Sequence, residues 1–277
     1  MAGIMTDWQP EIGRRVTPSE LQLLLKDEDQ WTRQLFGNKA AIIRGFPQVG
    51  PLQYAIAVWQ NPYHAHASYF NVIGRNYHIK ELMLMLKQMA NKHDRLQFSS
   101  YDESPAVVRQ LRRAGFHVIR HTAMGTYRTL KSVPVTSNIK SRSQLTPSQW
   151  QAVVRLSFQD YLSTHTVNPA TITRTQFEKE LSGADPHQPG FLVEENNLLA
   201  YVFWFEDQPG ELTSAWLGGV HKADTLRLMR AILPLIQKNY QLVNGEFDDT
   251  DPHAWMVYGQ LAIPDPHPLV TWQLRLH

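Results

Sequence analysis

The feature that most constrains this chain is a repeated helix-start signal. The sequence VTPSEL at 16–21 returns as LTPSQW at 145–150, each with a threonine before a proline and Glu or Gln three residues after the threonine. The threonine oxygen can accept from free amides, proline suits the first helical position, and the acid or amide completes a capping box. We therefore predict helices that start after Thr17 and Thr146.

A second set of matched signals follows in the same order. Three signals of the first half recur in the second half at a constant separation: LQF at 96–98 with V at 243, SP at 104–105 with DP at 251–252, and AGF at 114–116 with LAI at 261–263. Repeated signals in a conserved order are typical of an internal duplication. We predict two tandem domains, 1–131 and 138–277, joined by the polar, proline-containing linker KSVPVTS at 131–137.

The second half is longer than the first in one place. Matched positions lie 129 residues apart at the first signal but 147 apart later, and WTRQLFG at 31–37 resembles FEKELSG at 177–183. The extra residues must therefore lie almost wholly between Pro147 and Phe177. We predict one additional helical segment there.

Apolar periodicity and the Gly and Pro positions predict the same mixed α/β order in each half, with a mixed sheet flanked by helices. In the first half we predict a possible edge strand within 1–16, helices from 17, at 79–89 and at 105–113, and strands at 40–43, 54–59, 67–73, 96–100, 118–119 and 124–130. In the second half we predict helices at 147–162, 173–181, 225–237 and 252–261, and strands at 191–194, 199–205, 212–220, 241–247 and 270–276.

Composition excludes several kinds of site. The 277 residues contain no cysteine, so disulfides, thiolate zinc sites and a cysteine acyl-enzyme are impossible. A net charge of +2 does not favour nucleic acid as a partner. The longest apolar run, 198–205, is shorter than the ~20 residues that span a bilayer, and 1–16 lacks an apolar signal core. We expect a cytoplasmic protein with no membrane partner.

Metal sites are not expected either. His64 and His66 would lie on one face of a strand, but no further ligand is near them in the sequence, so a surface pair is the favoured interpretation. DDTD at 248–251 lacks the ligand spacing and the turn glycine of a calcium loop. We predict that it caps the helix that follows.

The order of elements resembles the GNAT superfamily of acyl-CoA-dependent N-acyltransferases. The last helix of that family typically carries Asn, Ala three residues on, Leu-Tyr at six and seven, and Leu-Gly-Phe at ten to twelve. Residues of this chain fall at those spacings in the second half: Asp251, Ala254, Val257, Tyr258 and 261–263. The first half matches more loosely: Ser104, Val107, Leu111 and 114–116.

The resemblance implies two tandem GNAT-like domains and a catalytic residue. In many family members the tyrosine that matches Tyr258 protonates the departing coenzyme A thiolate, a role that suits a phenol. Packing on an apolar helix face is the alternative for Tyr258. The first half has Leu111 at this place, so the second half is the expected catalytic copy.

The resemblance also implies where acetyl-CoA, or another acyl-CoA, would bind as co-substrate. The family splays its third sheet strand with a bulge, and Gly218 and Gly219 suit either this bulge or a plain strand end. Leu217, Gly218, Gly219 and Val220 would then hold the thioester, with Asp251 nearby.

The family's pyrophosphate loop opens the next helix, whose amides bind the anion. The second half has Lys222, Ala223, Asp224 and Thr225 there, and Asp224 could itself cap the helix. The first half carries three basic residues at the matching place: Arg75, His78 and Lys80. Both loops keep the leading cation and lack the family's small residues, so which copy binds stays open.

The elaborated segment of the second half supplies the expected acceptor side. The resemblance places Tyr161, His165 and Thr166 at the acceptor pocket, and Glu194 at a strand end could deprotonate an amine or be surface charge. The expected reaction is direct attack by a small-molecule or peptide amine on the thioester. Two alternatives remain: a catalytically inactive GNAT-fold ligand-binding or interaction protein, and transfer of aminoacyl groups from tRNA.

Overall fold

The computed structural model describes residues 13–77, 79–89, 93–101, 106–131 and 138–276. The chain divides into two compact units. Unit 1 comprises residues 1–119, 167–171 and 269–277, and unit 2 comprises residues 120–166 and 172–268.

Unit 1 has a five-stranded mixed sheet in the order β1-β2-β3-β4-β11. Only the pairing of β3 with β4 is parallel; the neighbouring pairs β1–β2, β2–β3 and β4–β11 are antiparallel. The elements are α1 (Pro18–Leu25), α2 (Gln30–Gly37), β1 (Ile42–Phe46), β2 (Tyr54–Gln60), β3 (Ala67–Gly74), α3 (Ile79–Met89), β4 (Arg95–Ser100), α4 (Ala106–Arg113) and β11 (Leu269–Arg275).

Both faces of the unit 1 sheet carry apolar residues. One face packs against α3 and α4 through a core that includes Phe70, Leu86 and Trp272. The other face, at β2 and β3, packs against Phe36 of α2. Burial of these side chains is the main stabilising contribution in this unit, at ~1.5–3 kcal/mol for each large apolar residue.

Unit 2 has the sheet order β5-β10-β9-β8-β7-β6, in which only β9 and β10 are parallel. The apolar face against α7 and α8 is built around Trp204, Leu228 and Phe247. The elements are β5 (His117–Thr126), β6 (Ile139–Ser141), α5 (Pro147–Thr164), α6 (Arg174–Leu181), β7 (Pro189–Glu194), β8 (Asn197–Gln208), β9 (Glu211–Gly219), α7 (Lys222–Ile236), β10 (Leu242–Asp248) and α8 (Pro252–Leu261). The predicted mixed α/β class is confirmed.

The predicted helix starts are confirmed. Thr17 caps α1 and Thr146 caps α5, and in each case the side chain three residues on accepts a hydrogen bond from the backbone amide of the cap residue. Glu20 also binds Arg14, which forms an isolated antiparallel bridge with Gly45 of β1. Of the predicted edge strand, the structure describes residues 13–16. Residues 1–12 and Ser104 lie outside the described part of the chain.

Two sequence predictions of elements are wrong. The second half has no additional helix between Pro147 and Phe177, because α2 already corresponds to α6; instead α5 has 18 residues where α1 has 8. A pair of strands at 118–119 and 124–130 was predicted, but one continuous strand, β5, covers 117–126. Both errors arise because an apolar pattern predicts the type of an element better than its length.

The compact units do not coincide with the halves 1–131 and 138–277. The last strand of the second half, β11, pairs with β4 in unit 1, whereas residues of β5, the last strand of the first half, pair with β10 in unit 2. A strand pattern specifies which face is apolar but not which neighbour it joins. The order of helices, strands and pairings nevertheless repeats in the two halves, and the duplication itself stays a prediction.

Candidate functional site

The parallel strands β9 and β10 of unit 2 separate part of the way along. Their pairing runs from Leu242 and Glu211 to Gly245 and Ser214, and no pairing follows in the described residues. Ala215 and residues 217–219 of β9 still pair with β8, but the other edge of this segment is left open toward β10. An open strand edge presents backbone donors and acceptors that another extended chain can bind.

A β-bulge accompanies this separation. Val202 of β8 pairs with Leu217 and Phe203 with Ala215, so Trp216 is the extra residue, and it has a positive φ of 45°. The bulge therefore lies at Trp216 and not at Gly218 or Gly219, where it was considered in the sequence. The two glycines end the strand, opposite Tyr201 and Ala200.

Gly218 lies next to a hydrogen-bonded pair formed by a buried tyrosine and a half-buried carboxylate. Tyr201 of β8 donates a hydrogen bond of 2.8 Å to Asp160 Oδ2 of α5. A methyl group placed on Gly218 would lie 2.6 Å from Tyr201 Oη and 2.7 Å from Asp160 Oδ2. Real side chains do not approach so closely, so a larger residue at this position would require Tyr201 and Asp160 to shift.

The environment of the pair favours protonated forms. Burial raises the pKa of Asp160, although the hydrogen bond from Tyr201 opposes the rise. Burial, followed by the charge of Asp160, raises the pKa of Tyr201 well above its usual value. Tyr201 is therefore neutral at physiological pH and acts as the donor.

Gly219 has a different polar neighbour, which comes from α7. A methyl group there would lie 3.0 Å from Thr225 Oγ1, and this hydroxyl is 2.8 Å from Nδ1 of His253 at the start of α8. Burial lowers the pKa of His253, so the imidazole is neutral at pH 7. The end of β9 thus has one polar pair beside each of its glycines.

The start of α7 has no side-chain cap. His221 is at the N-cap position without a capping hydrogen bond, so the prediction that Asp224 could cap this helix is wrong. Asp224 is instead 3.3 Å from Arg227, which also binds Glu194 at 2.9 Å. Lys222 and Ala223 are exposed at this end. An uncapped helix start with a lysine beside it can bind an anion.

The loop before α8 caps that helix, as predicted for residues 248–251. Asp251 accepts hydrogen bonds from the backbone amides of His253 at 2.8 Å and Ala254 at 3.1 Å. Burial nevertheless raises the pKa of Asp251, against these hydrogen bonds. The carboxylate is engaged by the helix itself.

Tyr258 is half-buried on α8. Its ring centroid lies 5.2 Å from that of Phe247 and 5.0 Å from that of Trp255. Its hydroxyl accepts a 2.7 Å hydrogen bond from the backbone amide of Asp265. No acceptor for its own proton is present among the described residues, so this proton is available for donation.

The predicted acceptor residues lie at the end of α5 and just beyond it. The ring centroid of Tyr161 lies 4.3 Å from that of His165 and 5.1 Å from that of Phe177. His165 donates from Nδ1 to the carbonyl of Tyr161 at 2.7 Å, and Arg120 lies 3.5 Å from its Nε2. Thr166 is exposed, as is Val220, whereas Leu217 is buried in the core of unit 2.

Sequence reasoning missed three polar residues near the end of β9: Asp160, Tyr201 and His253. Two signals pointed toward them, because Asp160 directly precedes the predicted acceptor residue Tyr161 and His253 lies two residues after the cap Asp251. Tyr201 lies in an apolar strand, where a tyrosine gives no functional signal.

His64 and His66 do not form the surface pair on one face of a strand that the sequence predicts. Both residues lie in a turn before β3, and His64 is buried, with Nδ1 donating to the carbonyl of Asn168 at 2.8 Å. Within the described ranges, no group of three acidic or histidine side chains is arranged to hold a metal ion. No helix in the described part of the chain is long and apolar enough to cross a membrane.

Comparisons by sequence find no relative: no protein-family model matches, and neither does any curated protein. Solved structures do match. A GCN5-related N-acetyltransferase from Sphaerobacter thermophilus superposes with a TM-score of 0.63 and 13% identity, over 95% of each chain. A GCN5-related N-acetyltransferase from Kribbella flavida gives a TM-score of 0.49 at 11% identity, over 88% of this chain and 92% of that one.

The similarity to the Sphaerobacter structure concerns the fold, since 13% identity is too low to transfer an activity. It covers 95% of both chains. This chain therefore has the fold of the GCN5-related N-acetyltransferases.

Proposed function

We propose that this chain is an N-acyltransferase that moves an acyl group, in the first instance acetyl, from acyl-CoA to an amine. The observation that carries the proposal is the uncapped start of α7 directly after the open edge of β9. One surface can bind an extended polar arm and the other an anion. A molecule that carries an amide-containing arm on a pyrophosphate fits both.

The residues present fit such a co-substrate. The open backbone at 215–219 would pair with the pantetheine arm, and the amides of Lys222 and Ala223, with the Lys222 ammonium, would bind the pyrophosphate. Thr225 replaces a small residue of the family's loop, but its side chain is fully buried toward Gly219 and His253. It does not obstruct the helix start.

The proposed chemistry is direct attack by a neutral amine on the thioester carbonyl. Backbone amides of β9 would stabilise the oxyanion, and Tyr258 would give its free proton to the departing sulfur. Glu194 was the sequence candidate for the base. Its carboxylate forms a salt bridge with Arg227 of α7, which also binds Asp224. Glu194 is therefore paired with a cation near the proposed pyrophosphate site.

A second function from another class has one observation in its favour. Asp224 places a carboxylate in the first turn of α7, where a pyrophosphate would be repelled if Arg227 did not neutralise it. A protein that had lost catalysis could keep this fold as a ligand-binding or interaction module.

Calorimetry with coenzyme A and acetyl-CoA separates the two functions without knowledge of the acceptor. We expect both to bind, and we expect a panel of primary amines to release thiol from acetyl-CoA. Binding without turnover for any amine or for water would favour the ligand-binding module, and no binding at all would contradict the proposed function.

A matched pair of charge reversals locates the site. Lys222→Glu should weaken coenzyme A binding about tenfold, because charge interactions at a helix start are worth ~0.3–1 kcal/mol and the reversal both removes an attraction and adds a repulsion. Arg75→Glu, at the corresponding place in the first half, should change the dissociation constant less than twofold. The opposite ranking would place the site in unit 1.

A further inference from the structure

The tyrosine–carboxylate pair above Gly218 has no role in the chemistry described so far. Asp160 Oδ2 accepts from Tyr201, while Oδ1 has no hydrogen-bond partner among the described residues, and Asp160 is only half-buried. One carboxylate oxygen is thus fixed and the other is available. The fixed oxygen, Oδ2, lies next to Gly218 in the open segment of β9, 2.7 Å from the position of a methyl group on that glycine.

We propose that Asp160 is the general base that takes the proton from the attacking amine, and that Tyr201 positions its carboxylate. The inference rests on the proposed function. As the amine nitrogen forms its bond to the acyl carbon, its proton passes to Asp160 Oδ1. The carbon–sulfur bond then breaks, and the departing sulfur takes a proton from Tyr258, so that the products are an amide and a free thiol.

The location of the pair suits this role better than the location of Glu194. Asp160 is in the last turns of α5, the helix that also carries the predicted acceptor residue Tyr161. It also lies over Gly218, where the reacting thioester would be held. Glu194 is bound instead to Arg227 of α7.

The chemistry of the pair fits a base that works near neutral pH. Burial raises the pKa of Asp160 and so makes its carboxylate a better proton acceptor. The hydrogen bond from Tyr201 opposes that rise, because it stabilises the ionised carboxylate. Two other titratable groups act on Asp160: His253, which lowers the pKa of Asp160 when the imidazole is protonated, and Asp251, which raises it. Lys222 lowers the pKa of both His253 and Asp251.

A purely structural pair would behave differently in one measurable respect. Removing either partner of a buried hydrogen bond destabilises the fold whether or not the pair is catalytic. Only a catalytic base, however, adds its own ionisation to the acid limb of the pH dependence of kcat/KM, beside the ionisation of the acceptor amine, which is the same for every variant. That limb is therefore the observable that distinguishes the two roles.

The test measures thiol release from acetyl-CoA against pH, with the amine that reacts fastest, or with water if no amine exceeds it. Asp160→Asn should bind coenzyme A like the wild type but turn over about 10²–10⁴-fold more slowly, the usual contribution of a general base. Tyr201→Phe should move the acid limb to higher pH, because it removes the hydrogen bond that lowers the pKa of Asp160. Glu180→Gln, on α6, is the matched control and should change neither the turnover rate nor the position of the acid limb.

Each result has a definite meaning. Normal turnover by Asp160→Asn with unchanged coenzyme binding would overturn the inference and leave the proposed function intact. Absence of coenzyme binding in the wild type would instead refute the proposed function. If Asp160→Asn does not fold, Tyr201→Phe decides, and an acid limb that stays in place would overturn the inference.

Discussion

Replacing Gly218 with alanine should be unusually costly for so small a change. The added methyl group would lie 2.6 Å from Tyr201 Oη and 2.7 Å from Asp160 Oδ2, so the ends of two side chains that are hydrogen-bonded to each other would have to shift. Overpacking of this kind costs about 1–3 kcal/mol. Displacing the pair also weakens a hydrogen bond to a charged group, worth about 1.5–3 kcal/mol.

The two destabilising effects overlap, because moving the pair relieves the clash. Alanine also lowers the conformational entropy of the unfolded chain, which stabilises the folded protein by about 0.4–1 kcal/mol. We therefore expect a net loss of about 2–3 kcal/mol in the free energy of unfolding. Urea denaturation followed by tryptophan fluorescence measures it, since unit 2 contains Trp204 in its core.

Gly259→Ala is the matched control. Gly259 is an exposed position of α8, and a methyl group there meets nothing within 4 Å. Alanine in a helix interior is more stable than glycine by about 0.5–1 kcal/mol, so this variant should be stabilised. If Gly218→Ala were as stable as Gly259→Ala, the close packing of Tyr201 and Asp160 on β9 would be refuted.

Two further predictions concern Tyr258 and Glu20. Tyr258→Phe should slow acyl transfer about 10²–10⁴-fold with unchanged coenzyme binding; a variant that melts lower but turns over normally would show that the hydroxyl serves only to hold the Asp265 amide. Hydrogen bonds from Arg14 and Thr17 lower the pKa of Glu20 to about 2, so its contribution to stability is complete above the unfolded value of about 4.5 and is lost as the pH falls toward 2. Acid titration of Glu20→Gln should show a shallower loss of stability in that window, and an unchanged slope would contradict the capping interaction.

The helix starts could be predicted from the sequence because their chemistry is local. The oxygen of Thr146 and the amide of Gln149 that it binds are three residues apart, so the signal and the structure lie within one turn. The same holds for Asp251 and the amides of His253 and Ala254. These predictions needed no knowledge of the rest of the fold.

Features that depend on distant residues could not be predicted. Tyr201 and Asp160 are 41 residues apart, and they meet only because β8 and α5 are packed together. The placement of β11 beside β4 is of the same kind, because either half could have supplied the last strand of its own sheet. The bulge at Trp216 was missed because glycine marked the strand end two residues later.

The central claim is that acyl-CoA binds along the open edge of β9 and at the start of α7. Hydrogen exchange measured by mass spectrometry, with and without coenzyme A, tests it most directly. We predict slower exchange in peptides that cover 215–226, and no change in peptides that cover 71–77 and 79–83 at the corresponding place in the first half. Protection of the first-half peptides alone would contradict the claim, and so would the absence of protection in both sets of peptides.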